Sequence, residues 1–162
     1  MKKYKWFIIF GNLALLLIYF NHSIFKKEEL LNDGQLVLLE LAPVDPRSLM
    51  QGDYMELRYG ISEGIDLENL PKRGYCVVKL DEKNRAQRVR LQQDVTPLNK
   101  DEYLIKFTLS DRWNINIGAE SFFFQEGHAD KYEKAKFGGL KIDKNGNSLL
   151  IGLYDEHLKK IK

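Results

Sequence analysis

Leu140-Lys141-Ile142-Asp143-Lys144-Asn145-Gly146-Asn147-Ser148-Leu149-Leu150-Ile151-Gly152-Leu153-Tyr154 is the stretch that decides the fold class. Two strand-type runs, Leu140 to Asp143 and Ser148 to Tyr154, flank a polar segment. Its Asn145-Gly146 pair is favoured in a tight hairpin turn, because both central residues of such a turn take positive φ. The same pattern lies upstream, where Cys76 to Leu80 and Ala86 to Leu91 are joined by the polar Asp81-Glu82-Lys83-Asn84-Arg85 and predict a second hairpin. Gln35 to Leu41 is a further strand, interrupted by Pro43, and Tyr103 to Leu109 and Ile115 to Phe124 add more β-type sequence. Tyr54 to Tyr59 alternates: Tyr54, Glu56 and Arg58 share one face, Met55, Leu57 and Tyr59 the other.

Helical signals are fewer. In Asp45-Pro46-Arg47-Ser48-Leu49-Met50, Asp45 suits a cap, Pro46 a first helical position, and Gly52 a stop. Ala129 to Phe137 carries Tyr132, Ala135 and Lys136 at helical spacing, with Gly138-Gly139 placed to end it. The expectation for residues 35–162 is therefore a mainly β domain, either a small barrel or a folded-over antiparallel sheet, with one or two short helices.

The N-terminus differs in kind. Lys2, Lys3 and Lys5 precede a run from Trp6 to Phe20 without a charged residue; continued through Phe25, it approaches the length of a membrane-spanning helix before Lys26 and Lys27 close it. A cleaved signal peptide needs small residues in an Ala-x-Ala-like pattern after the apolar stretch. Tyr19-Phe20-Asn21-His22-Ser23 stands there instead, so the helix is expected to stay as a single-pass anchor over residues 1–27. Residues 28–34 are expected to form a connector broken at Gly34. Three lysines and the amino terminus on one side against two lysines on the other favour an N-terminus inside, with the domain outside. In a bacterium this places the chain in the inner membrane and the domain in the periplasm.

A chain of 162 residues has room for such an anchor and one domain of roughly 130 residues. A net charge of +2, with both signs interspersed, offers no electrostatic footprint for nucleic acid. Cys76 lies in an apolar run and reads as a small buried hydrophobe. The charged runs from Asp81 to Arg85 and from Asp130 to Lys136 read as solvated faces.

Pro43 to Tyr59 resembles the signature of the GDYXXLXY proteins, bacterial membrane-anchored proteins without an established activity. Gly52, Asp53, Tyr54, Leu57 and Tyr59 fill the named positions, preceded by Asp45, Pro46 and Arg47. A second pattern similar to that family spans Phe124-Gln125-Glu126-Gly127-His128-Ala129 and Tyr132 to Gly138. The resemblance implies a location and a shape rather than a reaction. Members tend to be encoded beside multi-span membrane proteins, which implies an integral membrane partner in addition to the bilayer.

The signature has a sufficient structural explanation: Gly52 can supply a left-handed backbone, Asp53 can bond turn amides, and Tyr54, Leu57 and Tyr59 can pack on a strand. The functional alternative has Asp53, Glu56, Arg58 and the tyrosine hydroxyls lining a groove for a peptide or glycan strand. A weaker similarity links Leu49 to Tyr54, Lys72 to Val78 and Gln87 to Val89 with the β framework of signal-peptidase and LexA-like serine proteases. Those use a serine activated by a lysine, but the aligned positions hold Val44 and Gln87, and Ser48 has no matching lysine. Glu126 and His128 are the nearest approach to an acid–base pair. His22, His128 and His157 are scattered, with no metal-ligand spacing, and Asp143 to Asn147 lacks calcium-loop spacing. No catalytic residue, metal or cofactor is expected. The leading reading is an anchored binding or accessory domain; an envelope hydrolase or a degenerate protease-like fold is the alternative.

Overall fold

The computed structural model describes residues 2–42, 54–65, 70–110, 114–125 and 127–162. Helix α1 runs unbroken over Lys2–Asp33, and strands β1 (Gln35–Glu40), β2 (Tyr54–Glu56), β3 (Arg73–Leu80), β4 (Ala86–Gln92), β5 (Glu102–Ser110), β6 (Asn114–Asn116) and β7 (Ser121–Phe123) follow. A single helical turn, α2 (Ala129–Tyr132), then precedes β8 (Phe137–Ile142) and β9 (Ser148–Tyr154). The expected mainly antiparallel β domain behind a long apolar helix is what the chain forms.

Within each sheet the strand pairings are antiparallel, in the orders β1-β8-β9, β2-β7 and β4-β3-β5-β6. Two links curl the two larger sheets toward one another into a half-barrel. On one side the Leu38 amide donates to the Asn84 carbonyl at 2.8 Å, and on the other the Lys106 amide donates to the Gly146 carbonyl at 2.8 Å. The concave faces meet in a core of Val37, Leu39, Leu57, Tyr59, Cys76, Val78, Ile105, Phe107, Leu140, Ile142 and Leu153. Complete burial pushes the Cys76 thiol up to about 12, so it remains a neutral packing group. No buried side-chain nitrogen or oxygen among the described residues lacks a partner.

The turns share one design. In each of Asp81–Arg85, Asp143–Asn147 and Asp155–Lys159, the carboxylate of the leading aspartate accepts two backbone amides, two and four residues on. The fourth residue is left-handed each time: Asn84 at φ 60, Gly146 at φ 79 and Leu158 at φ 61. The 143–147 turn therefore departs from the expected two-residue form, since of its central pair only Gly146 has positive φ. It is a longer loop with one left-handed residue closing it. The third turn sends the chain back so that Lys160 bridges to Tyr154 and the Ile161 amide donates to Leu153 at 2.9 Å, which covers part of the β9 edge.

One further expectation is corrected, at α2. Residues 28–33, between the apolar stretch and β1, are helical and continue α1, which contacts β8 and β9. Gly34 ends the helix where a Cβ would lie 2.3 Å from the Leu30 carbonyl oxygen. Helix α2 stops at Tyr132 instead of reaching Phe137, and Phe137, Gly138 and Gly139 belong to β8. Those glycines are not a helix stop: a Cβ on Gly138 would sit 2.8 Å from the Tyr59 ring, and one on Gly139 would sit 2.2 Å from the Tyr154 ring. The β-type sequence from Ile115 to Phe124 forms two strands, β6 and β7, separated by a turn with Gly118 at φ +81.

Within Tyr4–Asp33 of α1, an 18-residue window has a mean hydropathy of 1.7 and buries none of its residues in the protein. At 1.5 Å per residue the apolar part, Trp6 to Phe25, is about 30 Å long, which matches the thickness of bilayer hydrocarbon. The helix is long and apolar enough to cross a membrane.

Candidate functional site

Asp45, Pro46, Arg47, Ser48, Gly52, Asp53 and Glu126 lie outside the described residues, as does the short helix expected over 45–50, so the site is built from the rest of the signature. The Ala42 amide donates to the Arg58 carbonyl at 2.8 Å and Leu41 bridges to Tyr59, so the chain entering and the chain leaving the 43–53 segment lie side by side. From there β2 pairs with β7, with Tyr54 opposite Phe123 and Glu56 opposite Ser121.

Alternation then sorts the side chains. Leu57 and Tyr59 are 3% and 1% exposed, while Glu56 and Arg58 point to solvent. The two buried positions hold the turn between β6 and β7: the Leu57 amide donates to the Glu120 carbonyl at 2.7 Å, and the Tyr59 hydroxyl donates to the Ala119 carbonyl at 2.6 Å. Burial, with the nearby Glu120 carboxylate as a smaller contribution, raises the Tyr59 hydroxyl well above its ordinary range, so it stays a neutral donor. The turn is further pinned by the Glu120 carboxylate, which accepts the Ile117 amide in a short hydrogen bond, and by the Ser148 hydroxyl, which donates to the Ile117 carbonyl at 3.0 Å.

The two outward residues, Glu56 and Arg58, border an open cleft of about 610 Å³, completed by Ser62, Glu63, Asn114, Asn116 and Glu120 among others. Its far wall is held by Arg88, whose guanidinium donates to the carbonyls of Ile61 at 2.6 Å and Glu63 at 2.8 Å. The lining is polar, with three carboxylates and one guanidinium, which suits an extended polar ligand better than an apolar one. The Ser62 hydroxyl donates to the Ile115 carbonyl at 3.4 Å rather than to a base. Gln87 is exposed on β4. Three or more His, Cys, Asp or Glu side chains grouped as metal ligands do not occur among the described residues.

The second pattern is separate from this cleft. Gly127 takes φ +81, and Tyr132 packs edge-on against Phe122 at 4.9 Å and against Phe124 at 5.4 Å, so α2 is docked on β7 by aromatic contacts. The two motifs meet through β7, whose residues pair with β2 and whose Phe122 meets Tyr132 edge-on.

Sequence reasoning missed the Arg90–Glu102 pair. The two terminal guanidinium nitrogens of Arg90 donate to the two Glu102 oxygens at 2.8 Å, and the Asn99 amide and side chain each donate to the same carboxylate at 3.0 Å. Those bonds, the Arg90 pairing first, hold the Glu102 carboxyl down to about 2 although its side chain is 2% exposed. The pair straps the loop after β4 to the start of β5 and is architectural. Its only sequence signal was a carboxylate at a position that alternation assigns to the interior.

Compared with known proteins, the chain matches the model of the family described as GDYXXLXY protein over residues 16–153, from within α1 almost to the end of β9. No curated protein and no solved structure matches it.

Proposed function

The chain belongs to the GDYXXLXY family, whose function is not established, and from this we propose that it is a bacterial inner-membrane protein in which α1 anchors a periplasmic binding or accessory domain for an integral membrane partner. One observation carries the reading. Helix α1 leaves its apolar length without a single buried side chain and passes through Gly34 directly into the first core strand. In water that surface would be a large aggregation liability, and in a bilayer it is satisfied. The lysine and amino-terminal charge bias supports an inside N-terminus.

The rigid continuation from Lys26 to Asp33 adds about 12 Å of helix beyond the apolar stretch, so the domain stands close to the membrane surface. The Glu56/Arg58 cleft is the open polar surface that the domain offers to such a partner. Mild detergent extraction of the full chain followed by affinity purification is expected to recover a membrane protein in fixed ratio, and Arg58→Glu is expected to reduce that recovery. Repeated isolation of the chain without a membrane protein contradicts the proposal.

A further inference from the structure

Two clefts meet at β6. The one beside Glu56 and Arg58 shares Asn116 with a second, of about 580 Å³, which Arg73, Tyr75, Lys106, Thr108 and Gly118 also line. Strand register makes them continuous: Arg73 lies opposite Thr108 and Thr108 opposite Asn116, so these side chains form one row across three strands. Charge is divided between the two. Among the described residues, the first is lined by the carboxylates of Glu56, Glu63 and Glu120 with the guanidinium of Arg58, and the second by Arg73 and Lys106 with no carboxylate. Glu56, Arg58, Glu63 and Arg73 form no ion pair with a described residue.

At the junction, Ile115 points into the core at 3% exposure, so Asn114 and Asn116 on either side of it face outward, half-buried. Each has its side-chain oxygen occupied by a backbone amide: Asn114 accepts from Ile115 at 2.9 Å, and Asn116 accepts from Gly118 at 2.8 Å. That leaves both NH2 groups as donors, and neither bonds a described residue. Positions two apart on a strand are separated by about 6.6 Å, which is also the interval between every second carbonyl of an extended peptide. On the facing wall, which Arg88 fixes through the Ile61 and Glu63 carbonyls, Ser62 is buried, and its oxygen accepts no bond from a described residue.

We propose that the joined clefts bind an extended polypeptide segment with basic side chains toward one end and acidic side chains toward the other. Asn114 and Asn116 donate to alternate main-chain carbonyls, and Arg58 supplies a further donor. The basic side chains lie beside Glu56 and Glu63, and the acidic ones beside Arg73 and Lys106. Charge complementarity selects this occupant, because a segment of one sign meets like charge in one of the two clefts. The segment belongs to the integral membrane partner, and for that identity alone the inference rests on the accessory reading above.

The test measures binding of fluorescent peptides to the full chain in mild detergent, each about ten residues long and so roughly 33 Å when extended. One set carries lysines at one end and glutamates at the other, in both orders, around a serine and threonine centre. Controls carry lysines only, glutamates only or no charge. One order of the mixed peptide is expected to bind roughly fivefold tighter than any control. Asn116→Asp keeps the acceptor for Gly118 but removes the free donor, and it is expected to weaken binding roughly three- to tenfold. Arg73→Glu combined with Lys106→Glu is expected to transfer the preference to the lysine-only peptide. Equal affinity for all the peptides, no binding of any, or tighter binding of an oligosaccharide of N-acetylglucosamine overturns the proposal. In the affinity purification above, recovery of a membrane protein that these variants leave unchanged also overturns it, while the accessory reading stands. Recovery of no membrane protein, with selective binding of the mixed peptide, overturns that reading and leaves the peptide groove.

Discussion

Tyr19 and Tyr59 are the same side chain under opposite conditions, and they stand for the two regions that contain them. Tyr19 is 71% exposed on the apolar stretch of α1, whereas Tyr59 is 1% exposed with its hydroxyl bonded to Ala119. Around Tyr59 every buried polar side-chain atom among the described residues has a partner, and the neighbouring strand even gives up a side chain at Gly138 to admit the ring. Around Tyr19, Leu16, Ile18 and Phe20 are exposed as well. The β domain thus satisfies itself, while α1 leaves its satisfaction to the surroundings. Damage in one region should be read by unfolding, and damage in the other by membrane association.

The sharpest contrast is truncation of each tyrosine. Tyr59→Ala is expected to lower domain stability by about 3–5 kcal/mol in denaturant unfolding, through lost packing and a cavity. Tyr19→Ala is expected to leave the same midpoint unchanged, and an equal loss at both sites breaks the comparison. Next come the glycines: Gly138→Ala and Gly139→Ala should each cost about 1–3 kcal/mol, because a Cβ meets a ring held in the core. Gly11→Ala, on the open helix, should cost nothing in that assay. Tyr59→Phe is a finer probe. It removes the donor from a buried carbonyl and is expected to cost about 1–2 kcal/mol.

Acid gives a further handle on the self-satisfied region. The Glu102 carboxyl is held at about 2 in the folded domain against an ordinary 4.5, so the folded state releases this proton more readily than the unfolded state. Its contribution is complete above about pH 4.5 and fades as pH falls toward 2. Glu102→Gln is therefore expected to be less stable at neutral pH and to show a flatter acid limb in that window. The smallest expected effect is at Leu158, whose left-handed backbone is costly for a leucine: Leu158→Gly should raise stability by up to about 1 kcal/mol.

Much of this was legible from local pattern. Both hairpins follow from strand runs flanking polar turns, and the inward face of Leu57 and Tyr59 follows from alternation, because each signal lies within a few residues of its consequence. What was not legible depended on distant partners. Gly138-Gly139 looks like a helix stop unless one knows that the rings of Tyr59 and Tyr154 lie over them. The strap from Arg90 to Glu102 depends on how the chain after β4 folds back. The helical continuation over Glu28 to Asp33 was locally readable, since Glu28 to Leu31 are good helix formers; the charge boundary at Lys26-Lys27 marked the end of the apolar stretch rather than the end of the helix. At the site, the cleft beside Glu56 and Arg58 needed the β6–β7 turn brought alongside from far along the chain.

The most direct measurement of the central claim is alkaline extraction of membranes from cells producing the full chain, with the intact mass of the retained species. A chain anchored by an uncleaved α1 stays with the bilayer at the mass of all 162 residues, and an external protease added to spheroplasts removes its β domain. Release into the alkaline supernatant, or a mass lacking the N-terminal residues, contradicts the account.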